Sequence, residues 1–404
     1  MRTWQSRPED AHRRSRVWVA LGLVIVLAGS LAGCEDAQLP PVFSPGSSPG
    51  SLPGSSAGLS AGALDGLIAT LRDGTQTERA QAADDLARLA DPAAIPALAT
   101  ALADEDWTVR WRAAEALTTL NDERAVDALL DLVAVAPKEL AVSSDDLETA
   151  RSAYEAGIKA LGLIGDPRAV PRLVEIAAVS ESSTESDAAG DALGAFGDAA
   201  LPGITAAMKA AGASRAALIV PLMARLGETG LAPLKAALGD RRPAVRIAAA
   251  MALAGYGGQG LSPLLGALKA TDRNLRIAAA NALGEVGDPA ATAALVRQLA
   301  DPKMTSAVTR ALVRIHADDG TPLVGYLKSR KTVGVYRAVI RIGDGDTVAP
   351  LVKALKSFGS KTMGEAYLNC GNPTLEKAAK AWAKAHGYTV VTSPGTGSEA
   401  WGSG

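Results

Sequence analysis

The apolar residues of this chain recur with helical spacing, and the best-formed stretch is Val245–Leu253. Its apolar side chains stand at i, i+3, i+4, i+7 and i+8 from Val245, which places them on one face of an α-helix. The stretch returns as Leu275–Leu283 with seven of nine positions identical, and more loosely as Val109–Leu117. Self-similarity at a fixed period of about 30 residues is typical of stacked helical repeats. The many alanines of the stripe would let neighbouring helices approach closely.

Turn signals divide the chain at the same interval. Several apolar stripes are followed by Gly-Asp or Asp-Pro steps, as in Gly165-Asp166-Pro167 and Gly287-Asp288-Pro289. Glycine accepts the left-handed conformation that ends a helix, aspartate caps the next helix, and proline fits its first turn. We therefore predict ten helix pairs, with the boundaries 61–90, 91–121, 122–165, 166–197, 198–227, 228–257, 258–287, 288–316, 317–343 and 344–372.

The predicted helix pairs are followed by one further amphipathic segment, 373–388. Leu375, Ala379 and Trp382 share one face of it, whereas its lysines face the other side. A stack of repeats needs such a helix to shield its last apolar face. The α-solenoid is thus predicted over 61–388, and the Gly/Ser/Thr-rich residues 389–404 are predicted to form a flexible tail.

Units of this length, with Asp-Pro at the start and Val-Arg-x-x-Ala-Ala-x-Ala-Leu in the second helix, resemble HEAT repeats. The nearest variety is the short form found in phycobilin lyase subunits. The resemblance covers about 61–372 and implies an all-α superhelix. It also implies that an interior arginine of each repeat pairs with an acid of a neighbouring repeat. The matching positions are Arg79, Arg110, Arg246 and Arg276.

The arginine series is interrupted in the middle of the chain, where Tyr154 and Ser186 occupy the equivalent positions. In the fifth unit Pro221 falls inside the second helix, which should bend or shorten because proline lacks the amide proton. We expect a change of superhelical curvature near 180–225.

A set of apolar residues lies off the main stripe. Trp111, Ile247 and Ile277 each follow an interior arginine, about 200° around the helix from the start of the stripe, and Trp107 lies one turn before Trp111. One interpretation is packing between adjacent repeats. The alternative is an apolar row on the concave surface that holds a partner peptide.

The net charge of −2 conceals two oppositely charged halves. Residues 61–200 contain 26 Asp and Glu against 11 Lys and Arg, whereas 201–388 contain 12 acids against 25 bases. The basic half could meet an anionic surface. Head-to-tail self-association of the two halves is a further alternative, which salt would weaken. Nucleic acid is not an expected partner, because aromatic interleaving is sparse.

The N-terminus has the organisation of an export signal. Five arginines within residues 2–16 precede an uncharged run, 17–33, that fits a signal-peptide core better than a membrane span of about 20 residues. The run ends in Leu31-Ala32-Gly33, and together with Cys34 these residues resemble the lipobox of bacterial lipoproteins. The resemblance implies cleavage after residue 33, lipid on Cys34, and an anchor on a bacterial membrane whose identity stays open. The Pro/Gly/Ser-rich remainder of 34–60 predicts a disordered tether.

Catalytic and metal-binding signals are missing from the sequence. It contains no nucleophile elbow, Walker loop, HExxH or paired CxxC. His316 and His386 stand at predicted helix ends, and Cys370 is expected to be a buried, inert thiol. We expect no catalytic residues, cofactor or metal.

These observations predict an exported, lipid-anchored solenoid that serves as a non-catalytic protein-binding scaffold or adaptor of the bacterial cell envelope. The alternative is an enzyme-associated or chaperone-like subunit resembling the phycobilin lyase HEAT proteins. Export disfavours that alternative, because pigment ligation is an intracellular task.

Overall fold

The computed structural model describes residues 57–141, 143–328, 333–389 and 400–403. All of them belong to one compact unit, Ser55–Gly404. The predicted signal peptide 1–33, the lipidation site Cys34 and most of the tether 34–60 lie outside the described residues. The first helix begins at Ala57, slightly before the predicted start of the solenoid.

The described residues form α-helices joined by short 3-10 turns, and no β-strand occurs among them. The helices are α1 Ala57–Asp73, α2 Gln76–Leu89, α3 Ile95–Ala101, α4 Trp107–Leu120, α5 Val126–Leu132, α6 Pro137–Leu140, α7 Ser144–Ile164, α8 Val170–Val179, α9 Ser183–Phe196, α10 Leu201–Ala210, α11 Ala213–Ile219, α12 Glu228–Ala237, α13 Pro243–Ala252, α14 Gly258–Ala267, α15 Arg273–Val286, α16 Thr292–Gln298, α17 Thr305–Ile315, α18 Thr321–Val324, α19 Val333–Ile342, α20 Val348–Phe358, α21 Lys361–Leu368 and α22 Pro373–Ala385.

The helices pair as the sequence predicted, with ten pairs among the described residues. The second helices of successive pairs are α2, α4, α7, α9, α11, α13, α15, α17, α19 and α21. Each of them through α19 packs against the next one along the chain, except that α9 packs mainly against Val220–Leu226, the 3-10 continuation of α11. The first helices through α18 pack against their own second helices and form the other layer, whereas α20 packs mainly against the last helix, α22. The prediction of an all-α solenoid of about ten helix pairs is confirmed.

The repeated apolar stripe forms the core. Val245, Ala249 and Leu253 are fully buried, and in the next repeat Leu275, Leu283 and the alanines between them are buried as well. Burial of these side chains supplies most of the stabilisation, because an isolated helix of this length is marginal in water. One continuous cluster of buried residues runs from α1 to α22.

The repeats are joined in two ways. After α7 and α15, Gly165 and Gly287 adopt φ near +73° in the left-handed region and close the helix. The following aspartate caps a 3-10 turn, as when the Asp288 carboxylate accepts a hydrogen bond from the Ala290 amide at 2.8 Å. The Asp-Pro step therefore begins a 3-10 turn, and the first α-helix of the repeat starts three residues later.

The junctions in the middle of the chain differ from that pattern. Gly197, Gly227 and Gly257 also have positive φ, but ψ lies near −130°, which is outside the left-handed helical region. The chain there enters the next helix or turn directly, so Asp198, which follows Gly197, does not cap the next element as the Gly-Asp pattern predicts. The Asp198 carboxylate instead accepts a hydrogen bond from the Thr229 hydroxyl of the next repeat.

Two local irregularities interrupt the helix pairs, of which the one at Pro221 was predicted. The helix α11 ends at Ile219, and residues Val220–Leu226 continue as a 3-10 helix because Pro221 lacks an amide proton. The long third repeat contains the short helix α6, which packs against α7. The expected change of curvature near 180–225 stays a prediction.

The helix α22 covers the last repeat as expected, and Trp401 and Gly402 add further contacts at this end. Trp382 and other apolar residues of α22 are buried against the last repeat. The tail predicted to be flexible differs in its last residues, because Trp401 is half-buried against the core. The Trp401 amide donates to the Cys370 carbonyl at 2.8 Å, and the Gly402 amide donates to the Ile340 carbonyl at 3.1 Å.

Candidate partner-binding surface

Each second helix has one side that faces away from the first helices. We call the surface that these sides form on α2, α4, α7, α9, α11, α13, α15, α17, α19 and α21 the second-helix surface. Positions in different repeats are equivalent when they lie the same number of residues before the end of their repeat. Gly257, Gly287, His316 and Gly343 are such end residues. Hydrogen bonds across this surface agree with that register, since Arg310 donates to Asn281 at 3.4 Å and each lies six residues before the end of its repeat.

Three of the four interior arginines join neighbouring repeats. The guanidinium groups of Arg79, Arg246 and Arg276 donate to Asp104, Asp272 and Asp301, with N–O distances of 2.7–2.8 Å. Each guanidinium also donates to main-chain carbonyl groups of its own repeat. The hydrogen bond from Arg246 holds the pKa of Asp272 below its usual range. These arginines therefore hold the stack together and are not exposed for a ligand.

Arg110 departs from the expected pairing. Its guanidinium lies 4.1 Å from the centre of the Trp107 ring and donates to the Asp104 carbonyl of its own repeat. Among the described residues, no carboxylate lies within ion-pair distance of it. The physical reason is the insertion before α7, which replaces the aspartate at that junction with Ser143. Burial lowers the pKa of Arg110 below its usual range.

The four candidate residues of the apolar row do not form one continuous row. All of them are half-buried and pack against the core. Trp107 and Trp111 lie on α4, whereas Ile247 and Ile277 lie on the neighbouring helices α13 and α15. Polar residues such as Glu155 and Asp187 occupy the equivalent positions between them. The row is thus split into an aromatic end and an aliphatic centre.

A groove opens at the aromatic end. It has a volume of about 730 Å³ and is formed by α4, α7 and α9, three successive second helices. Trp111 and Leu163 provide its large apolar side chains, and small residues such as Gly162 and Ala192 form its floor. An added Cβ at Gly162 would lie 2.7 Å from the Ala192 Cβ, so α7 and α9 are in close contact beneath the groove.

The rim of the groove is mainly acidic. Glu115, Glu155 and Asp191 line it, against one lysine, Lys159. The Arg225 guanidinium of the next repeat lies 2.6 Å from Asp191 and 2.8 Å from Asp187, so part of this charge is neutralised. The Arg112 guanidinium stacks on the Trp111 ring at 4.3 Å and pairs with Glu115 at 3.0 Å.

Three exposed apolar residues of the second helices were missed by the sequence reasoning. Leu163, Leu218 and Met251 have exposed fractions of 52%, 56% and 60%. A signal for Met251 was present, because it stands one helical turn after Ile247 on the same face. Leu163 and Leu218 lie in repeats without the repeated motif, which gave no register from which to place them.

The residues considered for chemistry have structural surroundings. His316 is buried, and its Nε2 lies 2.9 Å from the Thr292 hydroxyl oxygen, so burial lowers its pKa. His386 ends α22 with its ring stacked on Trp382. Cys370 is buried, and its Sγ donates to the Tyr367 carbonyl at 3.1 Å.

The described part of the chain shows neither a cluster of metal ligands nor a helix that could span a membrane. No group of three or more His, Cys, Asp or Glu residues there is placed to hold a metal ion. None of the described helices combines the length and hydropathy needed to cross a membrane.

Parts of this chain are similar to two families of HEAT repeats. Residues 64–144 and 231–315 match the model of HEAT repeats, and residues 153–178 match the PBS lyase HEAT-like repeat. The first HEAT match covers the first two repeats and part of the third, the second covers the sixth to eighth, and together they include Arg79, Arg110, Arg246 and Arg276. A search of curated proteins found no match to this sequence.

Solved structures with a similar course of the chain are distant in sequence. Human deoxyhypusine hydroxylase is 19% identical over 64% of this chain and 97% of its own, with a TM-score of 0.29. The complex of CpcE and CpcF of phycocyanin lyase from Nostoc sp. PCC7120 is 22% identical over 74% and 98%, also with a TM-score of 0.29. The karyopherin Kap121p, bound to the extreme C-terminus of the protein phosphatase Cdc14p, is 15% identical over 84% and 42%, with a TM-score of 0.45.

Proposed function

We propose that this protein is a non-catalytic scaffold or adaptor that binds a protein partner on its second-helix surface. The observation that carries the proposal is the groove between α4, α7 and α9, where Trp111 and the half-exposed Leu163 are surrounded by carboxylates. Apolar anchors inside a polar rim are the usual composition of a protein-binding surface. The rigid second helices below the groove would hold these side chains in place before the partner arrives.

The proposal includes export and a lipid anchor on Cys34. It is supported by the order of the basic segment, the uncharged run and the lipobox-like residues in the sequence. Lipid chains on Cys34 would hold the protein at a bacterial membrane, since two or more chains give stable attachment. A tether of about 22 residues between Cys34 and α1 would let the solenoid stand roughly 23–28 Å from the surface.

A non-catalytic role is supported by the surroundings of the histidines and the cysteine described above. The alternative of an enzyme-associated subunit is favoured by one finding, the match of residues 153–178 to the PBS lyase HEAT-like repeat. These residues include the groove residues Glu155, Lys159 and Leu163. In both alternatives the same groove would receive a protein.

The groove can be tested by photo-crosslinking in the native membrane. A photoreactive amino acid at Leu163 should give a discrete crosslinked adduct. The same group at Val179 provides the control, because Val179 is 53% exposed but lies on the first helix α8. Equal adducts at both positions, or an adduct only at 179, would contradict binding in the groove.

The anchor requires a separate test. Metabolic labelling with an alkyne-bearing fatty acid should label the full-length chain and leave Cys34→Ser unlabelled. Cys370→Ser is the matched control and should be labelled like the unchanged protein, because Cys370 is buried in the last repeat. Labelling that survives in Cys34→Ser would exclude the proposed lipidation site.

A further inference from the structure

The last repeat and the capping helix are rich in lysine and poor in acid. Residues 348–388 contain six lysines and no arginine, against two acidic residues, Glu365 and Glu376. Glu365 lies 3.8 Å from Lys361. Glu376 occupies the first turn of α22, where a carboxylate suits the positive end of the helix dipole. One lysine is therefore paired, and five are left.

The five remaining lysines lie on two helices that pack against each other, α20 and α22. Three stand at i, i+3 and i+7 on α22, which places them on one face, opposite the buried Trp382. The other two stand three residues apart on α20. All five are exposed, and among the described residues no carboxylate lies within ion-pair distance of them. The name lysine cap is used below for Lys353, Lys356, Lys377, Lys380 and Lys384.

The lysine cap is broad. Lys377 and Lys384 are seven residues apart, which is about 10 Å along α22. The axes of packed helices such as α20 and α22 are about 8–10 Å apart. The charges are therefore spread over about 10 Å in two directions on the outer faces of two helices. This arrangement suits a surface with many anions better than a single bound anion.

An aromatic ring is held at the C-terminal end of the same helix. The chain turns at Gly387, where φ is +70°, and the Tyr388 ring stacks on Trp382 with centroids 5.4 Å apart. The Tyr388 amide donates to the Ala383 carbonyl at 2.9 Å, which fixes the turn. Tyr388 is nevertheless 47% exposed. Its apolar ring and polar hydroxyl are a combination that is favoured at membrane–water interfaces.

We propose that the lysine cap binds the anionic headgroups of a phospholipid membrane. A lysine close to an anionic leaflet strengthens the attraction about fivefold. Ammonium groups on flexible stems can follow headgroups that move, whereas arginine is preferred where carboxylates are bound in a fixed geometry. Because residues 348–388 contain only lysine, the composition favours a membrane over an acidic protein.

The lysine cap would give the protein a membrane contact at the end of the stack that is farthest from the N-terminus. Nine steps of about 8–10 Å separate the first and the tenth second helix, or about 70–90 Å along the stack. With the proposed lipid at Cys34 as the first contact, the solenoid would lie along the membrane. The second contact would then be intramolecular, so a weak affinity would suffice. The affinity of the cap itself depends neither on the groove nor on the anchor.

Amine footprinting of the full-length protein reconstituted with vesicles can test the proposal. Vesicles of phosphatidylcholine alone are compared with vesicles that also contain phosphatidylglycerol, and mass spectrometry follows the modification of each lysine. The cap lysines should react about fivefold or more slowly on the anionic vesicles, and high salt should remove the difference. The control lysines should differ by less than about twofold. They are exposed on or directly after the first helices α10, α12 and α14, and are Lys209, Lys235 and Lys269.

Charge-matched variants separate the cap from the basic half as a whole. Lys377→Gln, Lys380→Gln and Lys384→Gln together should abolish the slower reaction of the two α20 lysines, because three charges contribute about a hundredfold. The same change at the three control lysines should leave it intact. Arginine at the three α22 positions keeps the charge and should preserve the slower reaction, whereas circular dichroism should show the same helix content in all variants.

Four outcomes would count against the cap or limit the damage to it. Equal reaction of the cap lysines on neutral and anionic vesicles would overturn the proposal. Equal slowing of cap and control lysines would assign the attraction to the whole basic half and would overturn it too. Slowing by soluble polyglutamate, without slowing by anionic vesicles, would identify an acidic protein as the partner instead. If the cap lysines stay reactive but the Leu163 adduct forms, this inference falls and the proposed function stands.

Discussion

Because second helices lie in close contact, we expect a change from glycine to alanine to have opposite effects on stability at two positions, one inside such a contact and one outside it. Gly284 lies in α15, where an added Cβ would be 2.8 Å from the Ala311 Cα and 3.2 Å from its Cβ. Gly266 lies in α14, where an added Cβ would meet no other side chain or backbone atom within 4 Å. Both sites are helical, and alanine is intrinsically favoured over glycine in a helix by about 1 kcal/mol.

At Gly284 the overpacking dominates. Inserting a methyl group into a packed interface costs about 1–3 kcal/mol, and we expect the upper end because the Ala311 Cα is main chain and has no rotamer to change. After the gain in helix propensity, Gly284→Ala should lower the free energy of unfolding by about 2 kcal/mol. Gly266→Ala should raise it by about 0.5 kcal/mol, less than the full propensity because the position lies near the helix end.

Urea unfolding followed by circular dichroism would measure both variants. Hydrogen exchange should accompany it, because repeat proteins can unfold locally and not as one cooperative unit. Faster exchange in Gly284→Ala is expected over α15 and α17. If Gly284→Ala is as stable as Gly266→Ala, the close approach of α15 and α17 does not exist, and the packing described here is wrong.

Further variants test other contacts. Arg246→Ala should lower the free energy of unfolding by about 1.5–3 kcal/mol, because hydrogen bonds between charged groups are lost. Arg310 is exposed, so Arg310→Ala should change the free energy of unfolding by less than about 0.5 kcal/mol. Chemical denaturation compares the two variants. Asp240 has a pKa near 2 because Arg242 donates to it, below the unfolded value of about 3.9. Its stabilisation is therefore present above about pH 4 and lost as pH falls toward 2, which acid titration of Asp240→Asn against the unchanged protein would show. Trp401→Ala should speed amide exchange at Gly402 and in α19 and α21 but not in α15.

Sequence periodicity predicted the helix pairs because each unit carries its own boundary signals. A buried stripe, a positive-φ residue and a capping aspartate are local features, so they can be recognised without knowing the neighbouring repeat. Because these signals are read locally, the junction at Gly197 was predicted wrongly. Gly197 and Gly287 look alike in sequence, since both precede aspartate, but only Gly287 is followed by the proline that fits a 3-10 turn. The backbone at Gly197 consequently takes another course.

The partner-binding surface was harder to predict, because it depends on which repeats are neighbours. Trp111 was identified from its position after Arg110, but the groove beside it needs Leu163 of the next repeat and Ala192 of the one after. The contacts of Trp401 had no sequence signal, since the surrounding residues are typical of an unstructured tail.

Hydrogen exchange on a purified complex with the protein crosslinked at residue 163 tests the central claim most directly. We expect protection of the backbone amides on the second helices α4, α7 and α9. The first helices α3, α5 and α8 of the same repeats should exchange as they do in the unbound protein. Protection confined to the first helices, with the second helices unchanged, would show that the partner binds elsewhere and would contradict the account.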